Sequence, residues 1–82
     1  MSELIVNIEK LHTTKLGIER IKRDLQLDAE DVVGWCKQQI LSPACAVSRK
    51  GKNWYADING VRITVNANSY TIITAHQNKG QI

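Results

Sequence analysis

The sequence predicts an α+β domain in which N-terminal helices pack on one face of a C-terminal antiparallel sheet of three to four strands. Three observations carry that prediction. Asn59-Gly60 sits between two alternating runs, and Asn-Gly supplies the two positive φ angles of a type I′ hairpin turn. In the first half of the chain, apolar residues recur at three- and four-residue steps, the helical period. All the helical material precedes all the strand material, so the helices are what can cover the sheet's apolar face.

Taken in order, Leu4, Ile5, Ile8 and Leu11 fit a short helix over residues 3–11, with a strand as the competing reading because Ile5-Val6 is β-branched. His12-Thr13-Thr14 follows, and either threonine can cap the next helix. That helix, residues 14–25, aligns Ile18, Ile21 and Leu25, and Gly17 weakens its start. Asp28 is a suitable N-cap for a third helix over residues 29–41, with Glu30 and Asp31 in the first turn, where the helix dipole favours negative charge. Its stripe is Val32, Val33, Cys36 and Ile40, with Trp35 on a flank, and Ser42-Pro43 ends it. A strand is expected over residues 44–48, then a basic turn over 49–52.

The two-residue turn fixes the register of the hairpin that follows. Ile58 faces Val61, Ala56 faces Ile63 and Trp54 faces Val65 on an apolar face; Asp57–Arg62, Tyr55–Thr64 and Asn53–Asn66 lie on the other. A last strand, residues 69–76, follows the polar turn 66–68. A two- or four-residue loop would put Tyr70, Ile72 and Thr74 beside the apolar set, whereas a three-residue loop puts Thr71, Ile73 and Ala75 there. The second register is preferred because it buries neither His76 nor a tyrosine hydroxyl. It brings Tyr70, Thr74 and His76 onto the polar face with Tyr55, Arg62 and Thr64. Residues 77–82 read as a polar, frayed tail.

With 82 residues the chain makes one domain, 1–82, whose helical layer spans about 3–41 and whose sheet spans about 44–76. The net charge of +3 is unevenly spread. Residues 1–48 carry six basic residues against seven acidic ones, and residues 49–82 carry five against Asp57 alone, net +4. A basic sheet half attracts anionic partners, nucleic acid first among them, although a solvated surface has the same composition. Cys36 and Cys45 form neither a C-x-x-C nor a metal-ligand spacing, and suggest reduced thiols in a cytoplasmic protein. With Glu3 early and a short apolar run, the first ten residues are not expected to serve as a secretion signal, and no apolar run reaches membrane length. No cofactor or metal motif is present.

His12 and His76 are the residues with the most chemistry to offer. Two imidazoles beside a bound phosphate can serve as general base and general acid, with arginine or lysine stabilising the charge that develops. That is what metal-free RNA cleavage through the substrate's own 2′-hydroxyl requires. The plainer reading makes His12 a local hydrogen-bonding residue and His76 the polar end of a strand. Tyr55 on the polar face can stack on a base or stabilise the sheet through Thr64.

The segments L-H-T-T-K-L-G-I-E-R-I-K-R-D-L (11–25), G-K-N-W-Y (51–55) and I-T-V-N-A-N-S-Y-T-I-I-T-A-H (63–76) resemble a family of small uncharacterised bacterial and phage proteins, domain of unknown function 3781. More loosely, an N-terminal His, an E-R pair on a helix, a capped helix with D-V-V, a basic hairpin and a last strand ending I-I-T-A resemble the barnase–colicin–RelE-like ribonuclease fold of toxin nucleases. That resemblance implies an active site on the open sheet face, with His12, Arg20, Arg62, Thr74 and His76 as catalytic candidates. Arg49, Lys50, Lys52, Tyr55 and Tyr70 are the nucleic-acid-binding candidates. The expected function is a metal-independent ribonuclease or RNA-binding protein that takes RNA in preference to DNA. Two alternatives stand beside it: an interaction module with a cognate protein partner, and a winged-helix DNA binder using the second and third helices with the Asn59-Gly60 hairpin as wing.

Overall fold

A computed structural model describes residues 3–77. Of the expected frayed tail, Gln77 instead ends the last strand, and residues 78–82 lie outside the described residues. The elements are α1 (Glu3–Val6), a 3-10 turn (Ile8–Lys10), α2 (Lys15–Leu25), α3 (Val32–Leu41), β1 (Ala46–Lys50), β2 (Asn53–Ile58), β3 (Val61–Asn66) and β4 (Ile72–Gln77). The fold is α+β: helices first, then a four-stranded antiparallel meander in the order β1-β2-β3-β4.

The β2–β3 hairpin has the register that its turn dictates, with Trp54 opposite Val65, Ala56 opposite Ile63, Ile58 opposite Val61 and Asp57 opposite Arg62. Asn59 and Gly60 both take positive φ, 51° and 76°, as a type I′ turn requires. Trp54, Ala56, Ile63 and Val65 join Leu4, Leu11, Ile21, Val32, Cys36 and Ile40 in one core, so the helices cover this face and leave the Tyr55–Thr64 face open.

Local chemistry explains the helix boundaries. The first expected helix is two pieces, because after α1 the chain tightens into a 3-10 turn before Leu11 extends. Thr14 caps α2 by accepting from the Gly17 amide at 3.0 Å. Thr13 donates instead to the Ile72 carbonyl at 3.0 Å, pinning the start of α2 to β4. A Cβ at Gly17 would collide with the Thr13 hydroxyl, so the glycine that weakens this helix makes room for its attachment to the sheet. α3 begins later than expected: Asp31, not Asp28, is the cap, accepting from Gly34 N at 2.9 Å. Its first helical residue, Val32, is also its first buried one, and the cap directly before that stripe prevails.

Three expectations about the strands need correction. β1 runs to Lys50, so Arg49 and Lys50 belong to the strand and not to the turn. Arg49 is paired with Trp54 and Lys50 with Asn53, so their side chains leave opposite faces of the sheet. On β4 the preferred register holds at one end, where Arg62 faces His76, Ile63 faces Ala75 and Thr64 faces Thr74. A bulge between Thr64 and Val65 then sets Val65 opposite Ile72. Ile72 is therefore buried and Ile73 exposed, the reverse of the expectation. One extra residue on β4 switches the alternation, as bulges do. Tyr70 precedes the strand, in a left-handed conformation at φ 61°, and its ring packs on Trp54 instead of joining the open face.

Candidate nucleic-acid interface

In a meander, alternate turns fall at the same end of the sheet. The β1–β2 turn (51–52) and the β3–β4 turn (67–71) therefore share one end, and Asn59-Gly60 marks the other. This topology sorts the sequence-derived candidates into two groups.

Arg49, Lys52, Tyr70 and His12 gather at the first end. Arg49, Lys52, Asn66, Ala67 and Asn68 line a shallow open concavity of about 490 Å³. The Ala67 amide donates to the Lys52 carbonyl at 2.8 Å and locks the two turns together. The Arg49 guanidinium lies 5.3 Å from the centre of the Trp54 ring, and its Nε donates to the Gly51 carbonyl at 3.0 Å. Its two terminal nitrogens have no partner among the described residues, nor has the Lys52 ammonium. Trp54 contacts Tyr70, ring centres 5.2 Å apart, and Lys10 Nζ sits 5.5 Å from the Tyr70 centroid. Two cations thus flank a pair of aromatic rings beside the concavity. Lys50 adds a fourth cation, after Arg49, Lys52 and Lys10, from the open face of the same end.

His12 enters this end from the N-terminal segment. Its backbone forms a parallel bridge with Thr71, accepting from Ile72 N at 2.8 Å and donating to the Tyr70 carbonyl at 3.2 Å. Its Nδ1 is 2.8 Å from the Lys10 carbonyl, and its Nε2 is 3.1 Å from the Thr71 hydroxyl. The Thr71 hydroxyl lies 2.7 Å from that of Ser69, and Ser69 Oγ is 3.2 Å from Asn66 Oδ1. Sequence reasoning had no means of finding Ser69, Thr71, Asn66 or Asn68 as site residues, since only the fold brings two separate turns and residue 12 together.

Arg62, Thr74 and His76 lie on the open face, with Arg62 and His76 toward the Asn59-Gly60 end. Arg62 is not a free cation: it donates to Asp57 from Nε at 2.8 Å and from Nη2 at 3.3 Å, and it stacks 5.1 Å from the Tyr55 ring centre. Those hydrogen bonds, and then the Asp57 charge, hold the guanidinium above its ordinary range. Five residues separate Thr71, the bridge partner of His12, from His76, roughly 16 Å of extended strand. The two histidines therefore do not meet around one phosphate. Arg20 is exposed on α2, which packs against the covered side of the sheet and not the open one.

Elsewhere, burial pushes the Cys36 thiol up to about 12, and Cys45 is raised by burial and by Asp57. Lys37, the one cation of α3, lies 3.7 Å from Glu9. Among the described residues, no group of three or more His, Cys, Asp or Glu side chains could hold a metal ion, and no helix is long and apolar enough to cross a membrane.

No curated protein and no solved structure matches the chain. A family model described as "Protein of unknown function (DUF3781)" matches residues 5–76, from the first helix to the last strand. The chain therefore belongs to the DUF3781 family of proteins of unknown function.

Proposed function

We propose that this protein binds single-stranded nucleic acid, RNA foremost, across the turn end of its sheet. The observation that carries the reading is Arg49. Its guanidinium is held over Trp54 and anchored through Nε to Gly51, while both terminal nitrogens have no partner among the described residues, at a concavity shared with Lys52, Asn66 and Asn68. A pre-positioned guanidinium fork suits phosphate oxygens, and the neighbouring ammonium and amide groups supply further donors. The half-buried Tyr70 adds an aromatic edge on which a base can rest. The only acid in residues 49–77, Asp57, is at the other end and is paired with Arg62, so it does not oppose a polyanion here.

Binding suits this geometry better than cleavage by a histidine pair, because His12 and His76 sit at opposite ends of β4. It also suits it better than a winged helix, since the lone cation of α3 faces Glu9.

The test is fluorescence anisotropy with a labelled oligouridylate. Three phosphate contacts, from Arg49, Lys50 and Lys52, give a salt slope of about −2 for a single strand, so affinity should fall roughly twentyfold between about 50 and about 200 mM salt. Arg49→Ala with Lys52→Ala should flatten the slope to about −0.7. Binding that ignores salt, or that survives the double substitution unchanged, would refute the reading.

A further inference from the structure

We infer that Ser69, Thr71 and Asn66 form a 2′-hydroxyl-reading element at the rim of this concavity, and that His12 orients it. The inference rests on the nucleic-acid reading and adds the residues that would select ribose over deoxyribose.

Hydrogen-bond direction makes the argument. The Lys10 carbonyl can only accept, so the His12 nitrogen 2.8 Å away, Nδ1, carries the hydrogen. Neutral His12 then offers a lone pair at Nε2, and the Thr71 hydroxyl at 3.1 Å donates to it. With its hydrogen committed, Thr71 Oγ1 accepts from the Ser69 hydroxyl 2.7 Å away, the shorter of that hydroxyl's two acceptor contacts, the other being Asn66 Oδ1 at 3.2 Å. Ser69 Oγ accepts weakly from the Thr71 amide at 3.3 Å and keeps a second lone pair. Ser69 is exposed.

The neighbouring amide is fixed as well. Asn66 Oδ1 accepts from the Asn68 and Ser69 amides, both at 2.9 Å, which identifies that atom as the oxygen. Asn66 Nδ2 is then a donor without a partner among the described residues, on a side chain that lines the concavity. An acceptor on Ser69 and a donor on Asn66 thus stand side by side. A ribose 2′-hydroxyl both donates and accepts, and it is the group by which a protein distinguishes RNA from DNA.

Short oligouridylate, oligodeoxyuridylate and 2′-O-methyl oligouridylate of equal length, which share one base, provide the test by anisotropy at low salt. The ribose strand should bind roughly two- to tenfold more tightly than the deoxyribose strand, the worth of about one hydrogen bond. The 2′-O-methyl strand, which cannot donate, should bind like the deoxyribose strand. Ser69→Ala and Thr71→Val should each bring the ratio toward one by weakening the ribose strand more than the deoxyribose strand. Arg49→Ala should weaken both strands and preserve the ratio. Ser69→Ala removes an exposed hydroxyl whose contacts all lie within residues 66–71, so it remains informative if Thr71→Val loosens the fold. Equal affinity for ribose and deoxyribose, or a preference that survives Ser69→Ala, overturns the inference and leaves the binding reading standing. No binding of any strand overturns both.

Discussion

Ile72 and Ile73 are chemically identical neighbours with opposite surroundings, and truncating each in turn tests the β4 bulge. Ile72 is 2% exposed, faces Val65 across the ladder and belongs to the core, whereas Ile73 is 41% exposed. Ile72→Ala removes buried methyl groups and leaves a cavity, at a cost of about 2–5 kcal/mol. For a chain of this length, total stability is on the order of 4–12 kcal/mol. The loss is therefore a large share of the whole. At about 4–8 °C per kcal/mol, a cost of about 3 kcal/mol lowers the melting temperature by roughly 12–24 °C. Ile73→Ala, at an exposed position, should change stability by no more than about 0.5 kcal/mol, or about 4 °C. Thermal melts followed by circular dichroism, with urea titrations to confirm the free energies, separate the two. If Ile73→Ala proves as damaging as Ile72→Ala, strand alternation continues unbroken and the bulge is misplaced.

Three further outcomes are expected. Trp54→Ala should unfold the domain or come close, at about 3–5 kcal/mol, while Tyr55→Ala on the open face should leave a cooperative melt; a larger effect at Tyr55 would contradict the hairpin faces. Gly17→Ala, which by helix propensity alone would stabilise by about 0.5–1 kcal/mol, should instead lower the melting temperature, because the added methyl displaces the Thr13 hydroxyl; a rise would show that the Thr13–Ile72 bond is dispensable. Cys36 should be silent to alkylation in the folded state. Its folded thiol titrates near 12 against an ordinary value of 9.0, so its contribution is intact below pH 9 and is lost as the unfolded chain ionises first. Stability should fall by up to about 1.4 kcal/mol per pH unit through that window, and Cys36→Ala should remove that slope.

What the sequence reveals depends on how far apart the deciding residues lie. The β2–β3 register follows from two adjacent residues, Asn59 and Gly60, and agrees with six alternating apolar positions. The Thr14 cap is equally local. Sequence reasoning places the cap of α3 at Asp28, whereas packing of the Val32 stripe selects Asp31. The β4 register was legible only toward Ala75 and His76, since Ile72 and Ile73 look alike in sequence and nothing local signals the bulge between Thr64 and Val65. At the candidate site, Arg49, Lys52 and Tyr70 stand out by residue type. Their convergence does not, nor does the hydroxyl chain from Asn66 to His12, because its last link joins residues 59 positions apart.

The bridge between His12 and Thr71 has a kinetic meaning as well. Every strand of the sheet pairs with its neighbour in sequence, so the meander can zip from one tight turn to the next with little loop-closure entropy. The N-terminal segment must travel across the whole chain to reach β4, so its bridge, the Thr13–Ile72 bond and the packing of α2 close the longest loops and are expected to form after the meander. Contacts formed after the rate-limiting step act on unfolding and not on folding. Weakening the 12–13 clasp should therefore shorten the lifetime of the folded state while the rate of acquiring it stays the same. The clasp thus ties the N-terminal segment to only one of the two turns at that end, the 67–71 turn, while the Ala67–Lys52 bond joins the turns to each other.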